Sequence, residues 1–133
     1  MIYTMKIFTG NFANEKKYIS AGLLPISIAL SAKYFSGVLF RKLNPDWSFM
    51  NDSQSVYTKK FLSKLDKLNP SLIFREIEFL SKGQDVVLLC HEKEGEFCHR
   101  RLVASWFETK LKIQVLELGN MAKKDDGIQM MMF

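Results

Sequence analysis

Cysteine is scarce in this 133-residue sequence, which holds two, and histidine is equally scarce. Two cysteines do not build the disulfide framework of a small secreted protein, which uses four or more. Three prolines and seven glycines exclude a collagen-like or linker-like chain. A bilayer span needs about 20 apolar residues. The longest mostly apolar stretch, Ala21 to Leu30, falls short of that and carries Pro25 and Ser27. The opening Met1-Ile2-Tyr3-Thr4-Met5-Lys6 lacks the basic-then-apolar order of a signal peptide. A cytoplasmic location is therefore expected, with no membrane partner and with thiols kept reduced. Blocks of five or six like charges, internal repeats and low-complexity tracts are also missing.

What is present is an ordinary globular balance, 47% hydrophobic and 25% charged, with 11 Phe for a bulky core. The length fits one domain, expected over residues 1–120, followed by a C-terminal tail over 121–133 ending in Met130-Met131-Met132-Phe133. The net charge of +5 and pI of about 9.2 permit a nucleotide or nucleic acid as partner without requiring one.

Along the chain, Ile2 to Phe8 reads as a first strand ending at Thr9-Gly10-Asn11. A short helix is expected over Asn14–Ser20 and a second strand over Leu23–Leu30, with Pro25 awkward near its start. Phe35 to Phe40 is ambiguous, and Lys42 to Asp52 is a loop marked by Asn44-Pro45-Asp46. Ser53 to Leu68 carries helical spacing. Asn69-Pro70 restarts a helix with a cap followed by proline at the first position, and Lys82-Gly83 ends it. Asp85 to Cys90 is a continuous aliphatic run suited to a central parallel strand. His91 to Phe97 is a loop, a helix runs from about Cys98 to Lys110, and Lys112 to Leu118 alternates as a last, edge strand. Strands separated by helices predict a single α/β domain with a mostly parallel sheet of four to five strands flanked by helices.

Ligands of such sheets bind beyond the carboxyl ends of the strands. There the chemistry is concentrated: Cys90, His91, Glu92, Cys98, His99 and Arg100 follow one another closely and include every Cys and His of the chain. A thiol at a helix start is acidified by the unpaired N–H groups and the helix dipole. His99 suits proton transfer near neutral pH, Glu92 suits orienting or protonating, and Arg100 suits gripping an anion. Thr9, Gly10 and Asn11 stand at the end of another strand and are expected to contribute substrate contacts. Three functional readings are open: a cysteine nucleophile at Cys98 or Cys90, a metal site on the Cys and His residues, or a reversible Cys90–Cys98 disulfide. The spacing matches no common zinc signature, which makes metal the minority choice. Against them stands a structural role, with Cys90 a small buried hydrophobe and His99 and Arg100 ordinary helix residues.

The run Val86-Val87-Leu88-Leu89-Cys90-His91-Glu92, followed by Phe97-Cys98-His99-Arg100-Arg101-Leu102, resembles the family called domain of unknown function 488. Leu43-Asn44-Pro45, the helix bearing Tyr57, Phe61 and Leu65, and the turn Gly83-Gln84-Asp85 resemble it more loosely. The resemblance implies an α/β fold and a site at Cys90, Glu92, Cys98, His99 and Arg100, with Tyr57 a candidate substrate contact. It implies no settled activity or cofactor. The chain departs from the family at Ile26 to Lys33, where an Asp-Val-Arg motif is common and both charged residues are missing here.

The expectation is a small cysteine-dependent enzyme acting on a phosphate-bearing substrate, a nucleotide or nucleic acid. The alternative is a non-catalytic nucleic-acid-binding or regulatory domain that uses the lysines Lys59, Lys60, Lys64 and Lys67.

Overall fold

Strand β4 (Val86–Cys90) is the axis of the molecule, and all five of its residues are buried. The computed structural model describes residues 3–92 and 97–119, so the expected tail lies outside the described residues. Alternation along β4 decides what each side chain meets. Val86, Leu88 and Cys90 belong to one core cluster, Val87 and Leu89 to another. The parity of Cys90 thus places its thiol on the face that also receives most of the helices.

Around β4 the sheet is wholly parallel, in the order β3-β2-β4-β1-β5. The other strands are β1 (Ile7–Asn11), β2 (Leu24–Ser27), β3 (Val38–Leu39) and β5 (Leu116–Glu117). Helix α1 (Glu15–Ser20) covers one face through Tyr18. Helices α2 (Gln54–Asp66), α3 (Pro70–Ser81) and α4 (His99–Leu111) cover the other through Phe61, Leu65, Phe74, Ile77, Val103 and Phe107. This is the expected single α/β domain with a five-stranded parallel sheet.

Local signals explain the helix ends. Ser53 caps α2 by accepting from the Val56 N–H, and Asn69 caps α3 by accepting from the Leu72 N–H. Lys82, in the left-handed region at φ 56°, and Gly83 close α3.

The strands are shorter than the sequence suggests. Strand β1 starts at Ile7, later than expected, and Ile2 lies outside the described residues; Tyr3 and Met5 pack on α3 instead of pairing: the Tyr3 hydroxyl is 2.9 Å from Ser71 Oγ and its ring sits edge-on to Phe74. Pairing extends through Thr9, Gly10 and Asn11, the expected end of the strand. Strand β2 tolerates Pro25 inside the sheet. Leu24 and Ile28 direct their N–H groups to β4, so the position of Pro25 faces β3, whose pairing starts only at Ile26. The ambiguous segment supplies β3, and the last strand shrinks to two residues at the sheet edge.

Candidate functional site

Cys90 closes β4, and Cys98 is the N-cap of α4, where Ser, Thr, Asp or Asn would be usual. Cys90 Sγ, Cys98 Sγ and a His99 ring nitrogen lie within 4.8 Å of one another. Cys90, Cys98 and His99 are all buried. His99 Nε2 is 2.6 Å from the Ile28 carbonyl, which can only accept, so Nε2 carries an N–H. Its Nδ1 lies 3.8 Å from Cys98 Sγ and 3.6 Å from Cys90 Sγ. Phe61 holds the imidazole from the side, ring centroids 5.2 Å apart.

The two thiols are driven in opposite directions. Cys98 is pulled far below the ordinary thiol range, first by the hydrogen bond from Cys90, then, against the cost of burial, by His99 and the Arg100 N–H. Cys90 is pushed well up by burial and by its neighbour Cys98. The pair therefore holds one thiolate, on the helix-start cysteine, and one thiol that donates to it. Glu92 is raised by burial and by the hydrogen bond and charge of Cys98. Tyr57 is raised by burial and by the nearby Cys98, Cys90 and Glu92, and stays a neutral phenol.

These groups open on a cavity of about 190 Å³. Its floor is Cys90, Cys98 and His99, and Glu92 and Tyr57 stand in its wall. Leu30, Trp47, Met50 and Phe97 also stand in the wall, with Ala29, Ser31 and Pro45 beside them. Tyr57, named from sequence, is thus at the site. Trp47 and Met50 were missed because they sit in the loop around Asn44-Pro45-Asp46; a tryptophan in a polar loop was the available signal. His91 is at the rim and bonds through Nε2 to the Ser31 carbonyl.

Arg100 has a different place from the one its sequence position implies. It is fully buried, and its guanidinium grips Glu117 of β5 in a two-pronged pair, Nε to Oε1 at 3.0 Å and Nη2 to Oε2 at 2.9 Å. Its Nη1 donates to the Glu92 carbonyl at 2.9 Å. Arg100 therefore holds the turn that carries Glu92, and its charge is met by a protein carboxylate. Burial acts to raise Glu117, but hydrogen bonds from Arg100 and Thr9 outweigh it and leave its carboxyl lowered.

Thr9, Gly10 and Asn11 do not line the cavity. Thr9 Oγ1 donates to Glu117 Oε1 at 2.6 Å. Gly10 leaves room for Tyr18, whose ring and hydroxyl would collide with any Cβ there. Asn11 pairs with Cys90 in register, yet its Oδ1 accepts from Asn14. Their polar groups are occupied inside the fold. Glu117 was not singled out in the sequence, since one acid in an alternating strand carries no signal of its own.

Cys90, Cys98 and His99 are also the three residues that could close on a soft cation, with the His99 N–H steadied by a carbonyl as metal-bound imidazoles often are. A closed tetrahedral zinc site takes four ligands, and among the described residues no fourth joins the group. Both cysteines are free. The lysines of the α2 face are partly committed as well: Lys60 pairs with Asp52 at 2.8 Å, and Lys64 bonds to the Asn44 carbonyl and Asp46.

Among protein families, the model described as the active DUF488-N3 subclade matches residues 25–111, more than half of the chain. That span runs from β2 to the end of α4 and contains Tyr57, Cys90, Glu92, Cys98, His99 and Arg100. Comparison with curated proteins and with solved structures finds no match.

Proposed function

The chain belongs to the DUF488 family, and on that premise we propose that it is a cysteine-dependent enzyme with Cys98 as its nucleophile. The observation that carries the proposal is the approach of the Cys98 sulfur to within 3.8 Å of His99 Nδ1 at the floor of a cavity. A buried structural cysteine needs neither an imidazole partner nor an opening. The description of the matching subclade as active agrees with catalysis.

In the proposed reaction the Cys98 thiolate forms a bond to an electrophilic atom of the substrate. The leaving group departs with the electron pair of the broken bond and takes a proton from His99 Nδ1. Water then returns a proton to His99 Nδ1 while its oxygen bonds to the substrate atom, and the electron pair of the broken sulfur–substrate bond restores the thiolate. Glu92 orients the substrate from the cavity wall. Cys90 donates to the thiolate throughout and holds it in place, and the Arg100–Glu117 pair positions the turn.

A phosphate-bearing substrate, such as a nucleotide or nucleic acid, remains the proposed class. Its support is the net charge of +5; Arg100 is held by Glu117 and is not the group that meets the phosphate. The test is a turnover screen of nucleotides and modified nucleosides with wild-type protein and Cys98→Ser. Turnover by wild type that drops by about 10³-fold or more in a folded Cys98→Ser protein supports the proposal. Equal turnover by the folded variant sinks it.

A further inference from the structure

The cavity above Cys98 has a wall whose composition selects what can enter. Leu30, Trp47, Met50, Tyr57 and Phe97 line it, and no lysine or arginine is among its described lining residues. Trp47 is 71% exposed and Met50 54% exposed, so large apolar side chains stand uncovered at the mouth of a polar floor. Tyr57 and Phe97 meet edge-to-face, ring centroids 5.3 Å apart at 86°. Such a corner offers a ring face on which a further flat ring can stack. An anion placed there would lose its water with no cation to replace it. The volume of about 190 Å³ is below the roughly 300–1,000 Å³ of sites that enclose a whole drug-sized ligand, which fits a single ring rather than an entire nucleotide.

We propose that the part of the substrate seated against Cys98 is an uncharged, planar aromatic or heteroaromatic ring, stacked among Trp47, Tyr57 and Phe97, with any phosphate left outside the mouth. This rests on Cys98 being the reactive thiol. It narrows the substrate to molecules whose electrophilic centre belongs to, or adjoins, such a ring.

The experiment measures alkylation of Cys98 by four probes, each rate divided by that of free glutathione at the same pH. Phenacyl bromide presents a neutral flat ring, cyclohexyl bromomethyl ketone a neutral puckered one, iodoacetamide no ring and iodoacetate a negative charge. In each case the thiolate sulfur displaces the halide, which leaves with the bond's electron pair. The normalised phenacyl rate should exceed those of the cyclohexyl ketone and iodoacetamide by about 3- to 10-fold, the size of one aromatic contact. It should saturate with probe concentration, and iodoacetate should be the slowest. In Trp47→Ala the phenacyl advantage should shrink, and Trp47→Phe should restore it. Equal phenacyl and cyclohexyl rates, or a preference for iodoacetate, would overturn the ring proposal and leave Cys98 as nucleophile. Should Cys98 be inert to every probe, the nucleophile falls, and the ring is then judged without the thiol. Acetophenone should quench the tryptophan fluorescence of Cys98→Ser saturably, and less so with Trp47→Ala added; no saturable quenching overturns it.

Discussion

Two polar clusters stand at the carboxyl ends of the sheet, and they differ in what their polar atoms face. At the β1–β5 end, Thr9, Glu117, Arg100 and Arg101 bond to one another, and Asn11 bonds to Asn14. At the β4–α4 corner, two thiols, an imidazole and a carboxyl converge on a cavity. In sequence the chemistry concentrates at the Cys corner, yet Thr9, Gly10 and Asn11 were expected to contribute as well, since they too lie where α/β proteins bind ligands. The difference shows that position at a strand end is not enough. A polar residue whose partners are all internal holds the fold, and one that faces a cavity is available for chemistry. The family match covers the Cys corner together with Arg100 and Arg101, and stops before Glu117.

Four substitutions sharpen or break this division. The largest effect is expected for Glu117→Ala, which strands the buried Arg100 charge and should cost about 3–5 kcal/mol in denaturant unfolding. The same pair makes stability depend on acid. The Glu117 carboxyl is lowered in the fold, so its contribution is complete above the ordinary carboxylate range near pH ~4.3 and is lost as pH falls through its own lower value. The variant's stability should therefore lose that part of its acid dependence. A Glu117→Ala protein as stable as wild type would erase the structural role given to this end.

Next is His99→Gln. Cys98 alkylation at pH 7 should slow by about tenfold, as the thiolate fraction falls toward that of an ordinary thiol with pKa ~8.5. An unchanged rate would deny His99 its part in the site. Thr9→Val keeps the shape, removes the hydroxyl donated to Glu117, and should cost about 1 kcal/mol while leaving Cys98 reactivity alone. A fall in reactivity larger than the fall in stability would join the two clusters. Arg101→Ala should be the mildest, under about 1 kcal/mol, since its side chain is half exposed and 3.9 Å from Glu117.

Much of this arrangement was legible in the chain. The aliphatic run into Cys90 marked the central strand because a strand buried on both faces needs no alternation. Asn69-Pro70 marked the start of α3 because capping is a local matter. Strand lengths were less legible. Tyr3 and Met5 have the residue types of a strand, and only the presence of α3 beneath them decides that they pack rather than pair. The Cys, Glu and His of the site were visible as a cluster in sequence, whereas the fate of Arg100 was not. Its partner Glu117 lies on a strand edge that reaches it only through tertiary folding. Trp47 and Met50 reach the cavity from a loop whose path no periodicity records.

The most direct test of the central claim is the pH dependence of alkylation at Cys90 and Cys98, resolved by mass spectrometry on the folded protein. The account predicts that Cys98 reacts as a thiolate well below pH 7 while Cys90 stays protected until the protein unfolds. Reaction of Cys90 first, or inertness of both thiols until unfolding, would contradict it.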